Sequence, residues 1–174
     1  MLRQAVCDLY SNLVTRPTGA AVRHEIERFI GERRESSLTV IDFEHVGLLD
    51  FSCADEVVAK LLLGQVTRGA TGEAYFLVRG VRDVHLDAIE AVLERYGLAL
   101  VVDLDGTLNL VGDASDGERR AWAALNGLGR GRPREVAHAL GEDLVSTAQW
   151  LGTLHERRLC MRLEDEYVAI SEPT

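Results

Sequence analysis

Ser52 stands two residues after Asp50 and three before Asp55, where the apolar pattern of the chain changes period. Before it, Leu38-Thr39-Val40-Ile41-Asp42-Phe43 is a short run rich in β-branched residues, the mark of a buried strand. After it, Ala54, Val57, Val58, Leu61 and Leu62 recur at helical spacing. A hydroxyl at such a helix start has two uses. It can cap backbone N–H groups, with Asp55 placed much as in a capping box. It can also carry a phosphoryl group, because those N–H groups and the helix dipole favour negative charge. Roughly two added negative charges beside Asp50 and Asp55 would change which partner surface can dock. Asp50, Phe51, Cys53 and Asp55 are therefore the expected partner-binding neighbours of Ser52.

Other reactive side chains are scattered. His24, His45, His85, His138 and His155 show no paired metal-ligand spacing. Cys7, Cys53 and Cys160 are odd in number and far apart, which fits neither a disulfide framework nor a zinc site and suits a reducing compartment. Neither a phosphate-binding glycine loop nor a dinucleotide fingerprint occurs. The expectation is no metal, no cofactor and no catalytic residue.

The elements that position Ser52 read as alternating helices and strands. Two helices are expected to open the chain, the second carrying Val22, Ile26, Phe29 and Ile30 on one face and ending near Gly31. The strand over 38–43 leads to a turn at Glu44 and His45, and a short apolar piece over 46–49 runs into Asp50. A helix begins near Ser52, with Ser52 as its cap. Gly69, Thr71 and Gly72 mark a loop before a strand over 74–78. His85, Ala88, Ile89, Val92, Leu93 and Tyr96 trace an amphipathic helix closed by Gly97. Segments 98–102 and 107–111 flank Asp105-Gly106, a hairpin turn signal. This order predicts an α/β fold with helices against a parallel or mixed sheet.

Composition shifts over 112–117, which predicts two domains, 1–112 and 113–174. The second reads as a helix with Ala121, Trp122 and Leu125, a loop over 127–132, and a helix opened by Pro133 with Val136, Ala137 and Leu140. A third helix follows with Leu144, Ala148, Leu151 and Leu154 inward. A hairpin over 159–163 and 167–170 closes the chain around Glu164-Asp165-Glu166.

The stretch from Val40 to Val58, with Asp50-Phe51-Ser52-Cys53-Ala54-Asp55 at its centre, resembles the signature of STAS-type domains, and the likeness covers 35–100. That family includes the anti-sigma-factor antagonists, and this chain is most similar to a divergent STAS-like branch. The resemblance implies a STAS-like mixed sheet with helices and a non-enzymatic role through protein contacts. In the antagonists the motif is Asp-Ser-Ser-Gly, whose second serine is phosphorylated by a kinase partner that is also an anti-sigma factor. Ser52 takes that place, while Phe51 and Cys53 stand where the family has serine and glycine.

Leu100-Val101-Val102-Asp103-Leu104-Asp105-Gly106-Thr107-Leu108 is similar to the first motif of haloacid-dehalogenase-type phosphatases. That likeness implies Asp103 as nucleophile and Asp105 as general acid, with magnesium on the phosphate. The family also uses a downstream lysine or arginine and further acidic ligands within a long α/β region. Here no lysine follows Thr107 and the remainder reads as helices and a wing. The phosphatase is the enzyme-class alternative, and the expectation is that the chain is not an enzyme.

The rear part resembles the winged helix-turn-helix of bacterial transcription regulators, a small α+β module, through Leu154-His155-Glu156-Arg157-Arg158-Leu159-Cys160-Met161-Arg162 and Tyr167. As a DNA reader it would offer Thr147 and Gln149 from an outward helix face, with Arg132, Arg134, Arg157, Arg158 and Arg162 beside it. Charge opposes that use. The whole chain carries a net −9, and from Asp113 onward eight arginines meet eleven acidic residues, a net of −3. Neither nucleic acid nor an anionic membrane is attracted in general, so DNA binding needs a local patch. With 47% hydrophobic residues and no long apolar stretch, the chain is expected to be a folded cytoplasmic protein without a membrane span. The expected function is signal transduction or transcription control through a protein partner, such as a Ser/Thr kinase or anti-sigma factor. DNA-binding regulation is the alternative, and self-association as a homo-oligomer is a further expectation.

Overall fold

The computed structural model describes residues 3–32, 35–66 and 72–172. The chain divides into two units, Met1–Asp113 and Ala114–Thr174.

The first unit runs β1 (Arg3–Leu13), α1 (Arg16–Gly31), β2 (Ser37–Leu49), α2 (Phe51–Ala54), a π-helical segment (Asp55–Lys60), α3 (Leu61–Val66), β3 (Ala74–Arg79), α4 (Asp83–Tyr96), β4 (Ala99–Leu104) and β5 (Thr107–Gly112). Its sheet has the order β1-β2-β3-β4-β5, with the first four strands parallel and β5 antiparallel to β4. The unit is thus α/β with a mixed five-stranded sheet. Successive parallel strands joined by crossovers of one hand place all their helices on one face. Ile26 and Ile30 from α1, Val57 and Leu61, and Ile89 and Leu93 from α4 join Ile41, Phe43, Phe76, Val78, Leu100 and Val102 in one core. Each such large side chain contributes about 1.5–3 kcal/mol on burial. Leu38, Val40, Tyr75, Leu77 and Val101 alternate with these onto the opposite face, so the strands read as continuous apolar runs.

Three expectations are corrected here. The chain opens not with a helix but with β1, which pairs in parallel with β2 from Arg3↔Ser37 to Leu13↔Leu49. Leu9 and Leu13 are buried, a spacing compatible with either period, and the main-chain pairing to β2 decides between them. Glu44 and His45 are not a turn, because β2 continues through them to Leu49. Between Asp8↔Asp42 and Tyr10↔His45, and again between Ser11↔Val46 and Leu13↔Leu49, β2 carries one residue more than β1. These are two β-bulges, and each turns a consecutive pair outward, Glu44-His45 and Gly47-Leu48. A polar pair at a bulge imitates a turn. Finally, the helix after β2 is capped by Asp50 rather than Ser52. The expected loop residues Gly69 and Thr71 lie outside the described residues.

The hairpin after α4 follows its signal. Gly97 ends α4 at φ 62, and Asp105-Gly106 forms a two-residue turn with φ of 53 and 82. Positive values at both positions suit the right-handed twist of the flanking strands.

The second unit comprises α5 (Asp116–Leu128), β6 (Arg130–Gly131), α6 (Pro133–Leu140), α7 (Leu144–Glu156), β7 (Cys160–Leu163) and β8 (Glu166–Ala169), with a small antiparallel sheet in the order β6-β8-β7. Ser115 and Glu118 form a reciprocal capping box at the start of α5. Ala121, Trp122, Leu125, Val136, Leu151, Leu154 and Tyr167 are buried. The expected loop over 127–132 is shorter than foreseen. Helix α5 reaches Leu128, and Arg130–Gly131 is a strand paired with β8. In α7 the buried stripe is Thr147, Leu151 and Leu154, while Leu144 is exposed.

Candidate functional site

The turn from β2 into α2 is held by main-chain and side-chain bonds. The Asp50 N–H donates to Leu13 O at 2.9 Å, tying the helix start to the end of β1. Asp50 Oδ1 accepts the Cys53 N–H at 2.8 Å, and the Ser52 hydroxyl donates to both carboxylate oxygens, at 2.9 and 3.1 Å. Burial pushes the Asp50 carboxyl upward, but the donors from Cys53 and Ser52 outweigh it and hold the group below the usual carboxylate range. Ser52 is half-buried. Phe51 is 39% exposed, and the Arg95 guanidinium lies 5.6 Å from its ring centroid, a cation–π contact. Cys53 is fully buried. Its thiol donates to Thr15 O at 2.8 Å, and burial together with Asp50 raises its pKa, which disfavours the thiolate. A Cβ on Gly19 would come within 2.9 Å of Cys53 Cα, so α1 approaches α2 this closely only through a glycine.

One turn further, Asp55 and Glu56 open the π-helical segment and are both 3% exposed. Arg16 in the first turn of α1 donates to Asp55 Oδ2 at 2.6 Å and to Glu56 Oε1 at 2.9 Å. Arg23 Nε donates to Glu56 Oε2 at 3.2 Å while its Nη1 reaches Glu27 Oε1 at 2.9 Å. Lys60 donates to Glu56, and the Tyr96 hydroxyl donates to Asp55 Oδ1 at 2.7 Å. Burial opposes ionisation of both carboxyls, yet Arg16 and Tyr96 hold Asp55 low, and Lys60, Arg16 and Arg23 hold Glu56 low. The network fastens α1, the π segment and α4 together. Two consecutive carboxylates at the start of the π segment share the Arg16 guanidinium, and π segments recur at functional sites.

Of this network the sequence reading contained Asp55 alone. Arg16, Arg23, Glu56, Lys60 and Tyr96 were missed. One signal was available: Lys60 is the single lysine of the chain and lies four residues after Glu56, a helical ion-pair spacing.

The remaining candidates lie in other places. Asp103 Oδ1 accepts the Gly106 N–H at 2.7 Å, so it braces the β4–β5 turn whose first residue is Asp105. Among the described residues no group of three His, Cys, Asp or Glu side chains could hold a metal ion. In the second unit Thr147 is buried and donates to Asp143 O at 2.8 Å, which corrects its expected place on an outward, base-reading face. Its helix position repeats with Leu151 and Leu154, and the hydroxyl satisfies itself on the preceding turn. Gln149 and Arg134 are exposed. Arg132 pairs with Asp165 at 2.9 Å, Arg157 with Glu118 at 3.2 Å, and Arg162 lies 5.6 Å over the Tyr167 ring. Arg158 sits just past α7 at φ 62. Trp150 lies against Gly117, where any Cβ would overlap the indole. Among the described residues no helix is long and apolar enough to cross a membrane. No family model matches the chain, and no curated protein matches it.

Proposed function

We propose that this chain is a non-enzymatic regulatory protein whose first unit is a STAS-like interaction module, switched at Ser52, in cytoplasmic signal transduction or transcription control. The observation that carries this reading is the Ser52 hydroxyl, hydrogen-bonded to Asp50 at a helix start beside the exposed Phe51 ring. An incoming protein would find an aromatic anchor flanked by Arg95 and a hydroxyl held by a carboxylate. Phosphorylation by a Ser/Thr kinase partner replaces that donor with about −1.5 to −2 charges facing Asp50. The two anions repel, the local surface reverses its hydrogen-bonding sense, and a partner that docks on Phe51 is released or exchanged. The second unit is, on this reading, a winged-helix-like module. The pairing of Arg130, Arg132 and Arg157 with acidic side chains favours a protein-docking role for it over DNA binding.

Affinity capture from the native cell tests the reading, with the mass of the Ser52 peptide read in parallel. Wild type, Ser52→Asp and Phe51→Ala are compared. The expected result is a phosphorylated Ser52 fraction and a partner lost from both variants. An unmodified Ser52 together with the same partners on all three baits would sink it.

A further inference from the structure

A cleft of about 350 Å³ opens beside the first bulge of β2 and at the carboxyl ends of β3 and β4, lined in part by Glu44, Arg79, Gly80, Arg82, Asp103 and Asp105. The volume is in the range of small-molecule sites. The walls are held from behind. Arg79 Nε donates to Asp42 Oδ2 at 2.7 Å, and Asp42 Oδ1 in turn accepts the Glu44 N–H at 2.8 Å. Arg82 Nη2 donates to the carbonyls of Val46 and Gly47 at 2.7 and 3.1 Å. Behind it the buried His85 accepts the Arg82 N–H at 3.2 Å. Gly80, at φ 68, lies so near β2 that a Cβ there would stand 2.5 Å from Glu44 N. Asp103 is fixed by the Gly106 N–H.

The charges are arranged by sign. Arg79 and Arg82 come from the end of β3 and the segment after it. In the order β2-β3-β4, Glu44 flanks them on one side and Asp103 and Asp105 on the other. Among the described residues neither Glu44 nor Asp105 makes an ion pair. A simple anion entering the cleft would meet three carboxylates, and a simple amine would meet two guanidiniums. A small molecule carrying both charges matches both.

We infer that this cleft is a binding site for a free α-amino acid, with its carboxylate on Arg82 and its ammonium group toward Asp103 and Asp105. The site goes beyond the Ser52 reading and does not depend on it. Thermal unfolding of the full chain with each proteinogenic L-amino acid at millimolar concentration tests it, followed by calorimetric titration of the best. At least one amino acid should raise Tm saturably. The corresponding α-keto acid and decarboxylated amine should bind at least about tenfold more weakly, as should the amino acid to Arg82→Gln and Asp105→Asn. Asparagine accepts the positive φ of residue 105, so Asp105→Asn keeps the turn and remains decisive if Arg82→Gln loosens β2. Three results would each overturn the inference: no saturable binding by any amino acid, equal binding of the amine alone, or undiminished binding to Asp105→Asn.

Discussion

Two successive turns of one helix carry acidic side chains in opposite circumstances. Asp50 is satisfied by its own neighbourhood, through the N–H of Cys53 and the hydroxyl of Ser52. Asp55 and Glu56 are satisfied from a distance, by Arg16 and Arg23 of α1 and Tyr96 of α4. A group held locally can be chemically altered while the rest of the fold stays put. A group held mainly by other elements cannot, because its bonds to Arg16, Arg23 and Tyr96 are also ties between helices, whereas only the bond from Lys60 to Glu56 is local. The contrast separates a place suited to modification from a place suited to holding the module together.

The strongest way to break that comparison is Glu56→Ala, which strips a carboxylate from Arg16, Arg23 and Lys60. Denaturant unfolding should register a loss of about 2–3 kcal/mol, below the figure for a fully buried pair because Arg16 and Lys60 reach solvent. A loss no larger than that of Asp50→Ala would erase the distinction.

Acid sharpens it next. Asp55 and Glu56 titrate lower in the folded chain than in the unfolded one. Their contribution is therefore complete above the ordinary carboxylate value of about pH 4 and is lost as pH falls through the depressed folded values. Unfolding midpoints measured in steps through that window should fall less steeply for Glu56→Gln than for wild type.

Asp50→Ala removes a helix cap and should cost about 1 kcal/mol by the same unfolding assay. Smallest of all is Ser52→Ala, at about 0.5 kcal/mol, since Asp50 keeps the Cys53 N–H and gains water. A Ser52→Ala loss matching that of Glu56→Ala would show the hydroxyl to be part of the scaffold and unsuited to a switch.

What the sequence made legible was what short-range chemistry dictates. Gly97 ends α4, Pro133 opens α6, and Asp105-Gly106 turns β4 into β5, because each needs only its own backbone geometry. The α/β class followed from the alternation of such elements. The first strand was hidden because its evidence lies in β2, more than thirty residues away. The bulges were hidden because an extra residue is visible only against the partner it fails to match. Thr147 misled because a threonine on a helix reads as polar, whereas its hydroxyl is spent on Asp143 O. Arg16, Arg23 and Tyr96 meet the acidic pair across separations of 33 to 41 residues, so no local pattern announces them.

The π segment has one more consequence, for the phase of the helix. A wide turn accommodates an additional residue relative to a regular α-helix, and each residue of α-helix advances the azimuth by about 100°. Asp55–Lys60 therefore acts as a phase shifter between α2 and α3. It lets Leu61 point into the core while Phe51, ten residues upstream, faces out. Regularising that turn with every residue kept would swing Phe51 and Ser52 around the helix axis by that angle, whereas excising one residue between Val57 and Ala59 would restore a regular pitch and leave both facing as they do.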